Sequence, residues 1–372
     1  MSTLELNRLV SAAQEEVARQ MVVCNACRYC EGLCAVFPAM ELRTEFTGGD
    51  VDYLANLCHN CSACYYDCQY APPHEFSINV PKAMSELREQ SYARYAWPQA
   101  MAGFFEANGL KIAVLTALAC AIFIAAFVFW SDSAALFASG SEEGAFYRVM
   151  PHNTMVLVFG SAFGYAIFAI GMSIRRFWFS AGPVRKLTLA DFWQATSDAG
   201  KLRYLDGGGM GCMNEDQDPS NRRRLYHHLT FYGFLLCFAA TSTATVLHYV
   251  LGWQAPYPWW SPTVLLGVFG GIGLVIGPIG LLRVAADRDA ALNPDAPTGM
   301  GAAFLWMLML VSLTGLLLLV VRATPLMGLT LAVHLGFVLA LFLTMPYGKF
   351  VHGIYRFTAL VRHAHEQNAR HG

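Results

Sequence analysis

CHNCSACYYDC, residues 58–68, places four cysteines at the spacing C-x2-C-x2-C-x3-C, and CNACRYCEGLC, residues 24–34, repeats that spacing upstream. The eight thiols are Cys24, Cys27, Cys30, Cys34, Cys58, Cys61, Cys64 and Cys68. Closely spaced thiolates of this kind can wrap a cubic iron–sulfur cluster, three of them from one loop. Zinc competes, because paired C-x2-C is also its signature. A third cysteine at the next i+3 step favours iron–sulfur chemistry. Disulfides fit poorly: the N-terminal stretch MSTLELNRLVSAAQEEVARQM has no basic start followed by an apolar core, so the cysteines are expected to stay in a reducing cytoplasm.

Where two clusters are bound by such runs, the fourth cysteine of each run ligates the other cluster. This assigns Cys24, Cys27, Cys30 and Cys68 to one [4Fe–4S] cluster, and Cys58, Cys61, Cys64 and Cys34 to a second. The run departs from the usual pattern in one respect. Ala35 and Gln69, not proline, follow the fourth cysteines. Cys120 and Cys237 lie in apolar runs as packing residues, and Cys212 ends the glycine-rich DGGGMGC, expected to be a turn facing the cysteine domain. His59 and His74, among the cysteine loops, are expected to tune the clusters by hydrogen bonding.

Outward from the cysteines, the 372-residue chain is 55% hydrophobic and only 14% charged, too apolar for an ordinary soluble protein. Its net charge of −1 gives no basic field for nucleic acid. Residues 1–108 are polar, with VDYLANL and PKAMSELREQ reading as short helices. Beyond them come six apolar runs, at 112–130, 152–174, 226–250, 261–282, 302–321 and 326–348, none containing Lys, Arg, Asp or Glu. Each suits a membrane-crossing helix. Basic residues gather between the second and third runs (Arg175, Arg176, Arg185, Lys186, Arg222, Arg223, Arg224) and after the last (Lys349, Arg356). The positive-inside rule then puts both termini, the cysteine domain and the 175–225 loop in the cytoplasm of a bacterial inner membrane. Trp130, Trp253, Trp259 and Trp260 mark the opposite ends as interfacial anchors.

Ionisable residues inside spans are costly and point to function. Here they are histidines, which ligate haem iron as neutral imidazoles. The third run carries His227 and His228 at its cytoplasmic end and His248 near its far end, while the sixth has His334 at the far end and His352 just past the cytoplasmic end. Two stacked bis-histidine haems would need ligands at two matching depths like these. On one continuous helix, His334 and His352 would share a face across ~27 Å, and His227 aligns with His248 better than His228 does, missing by ~60°. Both His227 and His228 remain candidates, and one or two haems b are expected. His152 is a reserve ligand or quinone contact.

The last span resembles the final haem-binding helix of respiratory nitrate reductase gamma subunits, which has the same His-x17-His spacing. The twin cysteine runs, the GGGMGC loop and RRRLYHHLTFYGFLLCFAATSTAT together resemble the tricarballylate-utilisation protein B (CitB) family over nearly the whole chain. The C-terminal part of CobZ, a cobalamin-synthesis protein, is similar. The resemblance implies a protein that reoxidises the flavin of a separate FAD-dependent tricarballylate dehydrogenase and passes electrons to the membrane.

The expected fold is mainly α. An α-helical ferredoxin-like two-cluster domain (1–108) precedes a six-helix transmembrane cytochrome b-like bundle (109–372). The expected function is electron transfer from a partner's flavin, through two [4Fe–4S] clusters and haem b, to quinone. The chain shows no GxGxxG fingerprint on a strand, so the flavin is expected on a partner. Rival readings are the same module serving a CobZ-type or heterodisulfide-reductase-like partner, a passive anchor, and a citrate or tricarballylate transport protein. Transport would call for broken helices and repeats about a midplane site.

Overall fold

A computed structural model describes residues 9–130, 137, 144–184, 186–214, 218–295 and 298–371. Arg185 and the side chain of Trp130, both used in orienting the spans, lie outside the described residues. Among those described there are no strands, only an isolated bridge between Cys212 and Ser220.

The N-terminal helices begin where the sequence supplies caps. Helix α1 (Ala12–Cys27) starts at Ser11, whose hydroxyl accepts from the Gln14 amide, and stops at Arg28 in the left-handed conformation. Its last turn carries Cys24 and Cys27, and the chain turns off the helix at Arg28. After α2 (Val36–Met40), α3 (Gly48–Leu57) opens with a Thr47–Asp50 capping box and ends at Cys58. The short α4 (Ala63–Tyr66) carries Cys64, and α5 (Val80–Tyr95) starts at the Asn79 cap with Pro81 in its first turn. Met21, Phe37, Met40, Tyr53, Leu54, Leu57, Met84 and Leu87 form the core beneath the cysteine loops.

One carboxylate is fully buried in this domain. Asp52 accepts from Arg94 at 2.6 and 2.9 Å, from the Tyr95 hydroxyl at 2.6 Å and from Gln14 at 3.2 Å. These partners offset the large cost of desolvating a carboxylate.

Among the described residues six helices are long and apolar enough to cross a membrane: α6 (Asn108–Trp130), α8 (His152–Ser180), α10 (Arg222–Leu251), α11 (Pro262–Ala286), α12 (Met300–Val321) and α13 (Met327–Thr344, continued by a 3-10 turn to Tyr347). The short α7 (Ala145–Val149) precedes α8. Two ends differ from the sequence reading. Helix α8 continues through Arg175 and Arg176 to Ser180, and α10 already begins at Arg222, so nearly half of the 175–225 connection is helical once α9 (Leu189–Lys201) is included. Charged residues end an apolar run without ending a helix, because the backbone ladder continues into water.

Small residues set the closest helix contacts. Helices α10 and α11 meet along Gly233, Gly270, Gly273, Gly277 and Gly280, where a Cβ would strike the opposing backbone or the Tyr226 ring. Cys237 lies against Gly270 on this seam, and Cys120 on α6 lies against Gly336 on α13.

The sixth apolar run is not one straight helix. Helix α13 ends at Thr344, Met345–Tyr347 form a 3-10 turn at Pro346, and α14 (Val351–His371) starts afresh. His334 and His352 thus lie on different helices, and the single-helix angle between them does not apply.

Helix α14 then packs beside the cysteine-bearing helices. Glu366 accepts from Arg43 at 2.7 Å and from Tyr53 at 3.1 Å, while His365 and Asn368 bind Asp191 of α9. The 96–108 connector is also held: Arg176 donates to the Ala96 carbonyl, the Tyr347 hydroxyl to Trp97 O, and Asn108 to Tyr347 O. At the other end Trp253, Trp259 and Trp260 are exposed, with Arg322 over the Trp259 ring at 4.4 Å.

Candidate metal centres

The eight N-terminal cysteines are free thiols in two groups. Cys24, Cys27, Cys30 and Cys68 line one cavity of about 270 Å³, open beside Arg28 and Tyr29. Burial pushes the Cys24 thiol up to about 12, and the neighbouring Cys68, Cys30 and Cys27 push it the same way. Cys30 is likewise pushed to about 12 by burial, then by Cys68, Cys27 and Asp67.

In the second group, burial pushes Cys34 well above the ordinary thiol value, followed by Cys61 and Cys58. Cys64 is held up by burial, then by Cys61, Cys34 and Cys58, and it also lines the first cavity. The fourth cysteine of each run therefore sits with the first three of the other run. Among the described residues no group of three such side chains closes on a single point. Thiols spread around a cavity, resisting ionisation until a cationic core is present, fit a [4Fe–4S] cluster.

The loop between the runs' ends is built around its own backbone. Asn60 and Ser62 take left-handed conformations, which lets the Asn60 amide donate to Cys58 Sγ at 3.4 Å. His59, 4% exposed, is tied through Nδ1 to Leu57 O at 2.9 Å, and burial, then Arg356, hold its imidazole well below the usual range. His74 accepts from the Phe76 amide and packs in a Tyr70–Phe76 aromatic cluster. Neither histidine's hydrogen bond goes to a cysteine sulfur; the loop amide takes that part. The DGGGMGC loop covers the second group: Gly207 faces Ala63, Gly208 faces Leu33, and the Met213 amide donates to Cys61 O at 3.0 Å.

Directly under this loop the structure brings His227 of α10 and His352 of α14 together, with ring centres 6.1 Å apart at 70°. Two imidazoles on opposite sides of one metal ion, with bonds of ~2.0–2.1 Å, have ring centres ~6.3 Å apart. The Nδ1 of His352 binds the Lys349 carbonyl, leaving its Nε2 lone pair free. Burial, then Arg356, keep this imidazole well below the usual range, hence neutral. His228, one residue on, instead packs against Tyr232 at 5.8 Å. Nδ1 of His227 is buried without a hydrogen-bond partner among the described residues. The spacing of the pair and the tautomer of His352 would suit a bis-histidine haem.

The far-end histidines are arranged differently. His248 stacks on His152 at 3.9 Å and 21°, with Tyr147 and Tyr249 at its edges. His334 binds Thr314 Oγ1 through Nδ1 at 3.0 Å and faces Gly315. No ring contact joins His248 to His334 among the described residues, so their side chains do not have the spacing found at the inner pair.

Comparison with known proteins agrees with this architecture. The family profile described as "Citrate utilization protein B Fer4-like domain" matches residues 17–94, and "Citrate utilization protein B" matches residues 107–372. The chain belongs to the citrate utilization protein B family. It is 47% identical over 369 residues to Citrate utilization protein B of Escherichia coli, covering 97% of this chain and 94% of that one. No solved structure matches. The Fer4-like assignment agrees with iron–sulfur chemistry for the cysteine-bearing region, and the six apolar helices make this a membrane protein.

Sequence reasoning missed a set of arginines. Arg88 and Arg356 both donate to the Cys58 carbonyl at 2.8 Å, Arg223 donates to the Asn60 carbonyl, and Arg288 donates to Asn60 Oδ1 at 3.0 Å. They come from four separate elements, so no local pattern announces them.

Proposed function

We propose that this protein takes electrons from the reduced flavin of a cytoplasmic FAD-dependent dehydrogenase and delivers them to membrane quinone. In this reading Cys24, Cys27, Cys30 and Cys68 hold one [4Fe–4S] cluster, Cys34, Cys58, Cys61 and Cys64 hold a second, and His227 and His352 hold a b-type haem. These groups supply one-electron carriers, the chemistry needed between a two-electron flavin and a two-electron quinone.

The observation that carries the reading is adjacency. Arg356 donates to the Cys58 carbonyl and is also an electrostatic neighbour of His59, His227 and His352, and His59 is a neighbour of His227. The glycine seam fixes α10, the Lys349 carbonyl orients His352, and the cap structures of α1 and α3 aim the cysteines. The domain boundary near residue 108 and a cytoplasmic placement of both termini belong to the same proposal. So does the dehydrogenase's substrate: the family resemblance and the relative's name point to tricarballylate or a citrate-like tricarboxylate.

An oxidised-minus-reduced optical spectrum of the detergent-purified protein, with haem and iron quantified, tests this. The expected outcome is about eight non-haem irons per chain and a low-spin b-type haem that disappears in both His227→Ala and His352→Ala while surviving His228→Ala. Haem retained in full in both variants would refute the inner pair, and absence of non-haem iron would refute the clusters.

A further inference from the structure

The two cysteine groups sit in unlike electrostatic surroundings. The first opens toward solvent beside Tyr29, which is 74% exposed, and its nearest charges are Asp67 and the exposed Arg28, engaged with Asn25. In the second group Cys58 and Cys61 are buried, while Cys34 lines a separate cavity of about 620 Å³ shared with Glu31, Asp198 and Asp206. Four guanidiniums converge on the three-residue stretch Cys58–Asn60. Arg88 is 6% exposed, and the Arg356 Nε is buried without a partner.

Among the described residues none of the four forms an ion pair with a carboxylate; their hydrogen bonds go to carbonyl, amide and hydroxyl oxygens, and Arg223 also lies against the Cys212 thiol. Burial, and then Arg223 and Arg88, push Arg288 down to about 10, so the guanidiniums also oppose one another. Buried cations without anions are expensive, and such an arrangement persists where a negative group shares the space. Four thiolates on an iron–sulfur core make such a group, and its negative charge grows by one on reduction. Net charge, hydrogen bonding and solvent access set a cluster's potential, and cations shielded from water act on it with little screening.

We propose that Arg88, Arg223, Arg288 and Arg356 form a cationic cradle that raises the reduction potential of the cluster held by Cys34, Cys58, Cys61 and Cys64 above that of the cluster held by Cys24, Cys27, Cys30 and Cys68. This rests on the cluster reading above. It gives electron flow a direction: the exposed, lower-potential group faces a soluble donor, and the arginine-ringed group beside His227 and His352 keeps the electron. The four arginines are positioning residues, since they act on the cluster through charge and through the loop backbone.

The test is an EPR-monitored redox titration of the full-length protein in detergent, with iron measured on each sample. Two midpoints are expected in the wild type. Arg288→Gln, which removes the single hydrogen bond to the Asn60 side chain, should lower only the higher midpoint. A tenfold change in the reduction equilibrium would read as about 59 mV for one electron. Arg88→Gln should act in the same sense, Arg288→Lys should restore most of the shift, and Arg28→Gln should leave the higher midpoint in place. If Arg288→Gln and Arg88→Gln bind full iron yet move neither midpoint, move both equally, or move only the lower one, the cradle is refuted while the clusters stand. A wild-type protein without iron would overturn the cluster reading and the cradle together.

Discussion

Gly277→Ala tests whether the α10–α11 seam holds His227 in place. The new methyl would lie 2.7 Å from the Thr230 amide nitrogen and 2.9 Å from the Tyr226 carbonyl, besides meeting the Thr230 hydroxyl. The hydroxyl could rotate, although it would then give up its 2.9 Å bond to Tyr226 O. The backbone atoms cannot. Ordinary contact begins near 3.4 Å, so the helices must part by about 0.5–0.7 Å. Overpacking of this kind costs about 1–3 kcal/mol. The displaced turn carries Tyr226 and His227, whose ring stands 6.1 Å from His352. Gly164→Ala is the control, because its Cβ meets nothing within 4 Å and alanine is the better helix former. Thermal denaturation of both variants in one detergent, with haem content measured alongside, should show G277A melting several degrees lower with less bound haem, and G164A unchanged. If G277A matches G164A in both readouts, the seam does not fix the histidine and the packing argument is wrong.

Other expectations concern the cysteine-bearing domain and its docking. Arg94→Met would leave Asp52 buried without its main partner and should cost about 3–5 kcal/mol, read as a lower melting temperature and iron loss. Asp52→Asn should be milder. Gly49→Ala would drive a methyl into the Ser180 carbonyl and within 2.8 Å of the Ala181 amide, so limited proteolysis should cut the 96–108 connector faster than in wild type. His363, buried and pushed down to about 4 mainly by burial, resists a proton that the unfolded chain accepts below about 6.5. Stability should therefore be complete above about pH 6.5 and fall between there and about pH 4, by up to about 3 kcal/mol from this residue. Equal loss of melting temperature in wild type and His363→Gln between pH 7.5 and pH 5 would count against it.

The parts of the molecule legible in the sequence are those governed by local rules. Six apolar runs read as six membrane-length helices, because a bilayer-length helix needs no distant partner to be recognised. The helices at VDYLANL and PKAMSELREQ were visible for the same reason. Helix ends were less legible: Arg175 and Arg176 looked like a boundary but lie inside α8. The break at Pro346, which puts His334 and His352 on separate helices, is not legible from the length and apolarity of the sixth run. Helical angle preferred His227 to His228, and it is His227 that faces His352, although that face is decided by α14 and not by His248. The stacking of His248 on His152 depends on how α8 leans against α10, which residue spacing does not encode. The convergence of Arg88, Arg223, Arg288 and Arg356 is non-local throughout. Only the folded chain brings it together.

The Cys58 carbonyl accepts from Arg88 and also from Arg356, and Arg43 reaches Glu366 across 323 residues of chain. During synthesis the cysteines leave the ribosome long before α14 does. Until α14 is made and docked, the second group lacks Arg356, and the surface around Tyr53 lacks Glu366. If the cysteines hold clusters as proposed, stable iron loading would wait for the whole bundle to be inserted, and a chain halted before α14 should hold its metal poorly. On the proposed reading, the fold would tie cofactor assembly to completion of the membrane part, so that a reducible centre would not be left without an acceptor beside it.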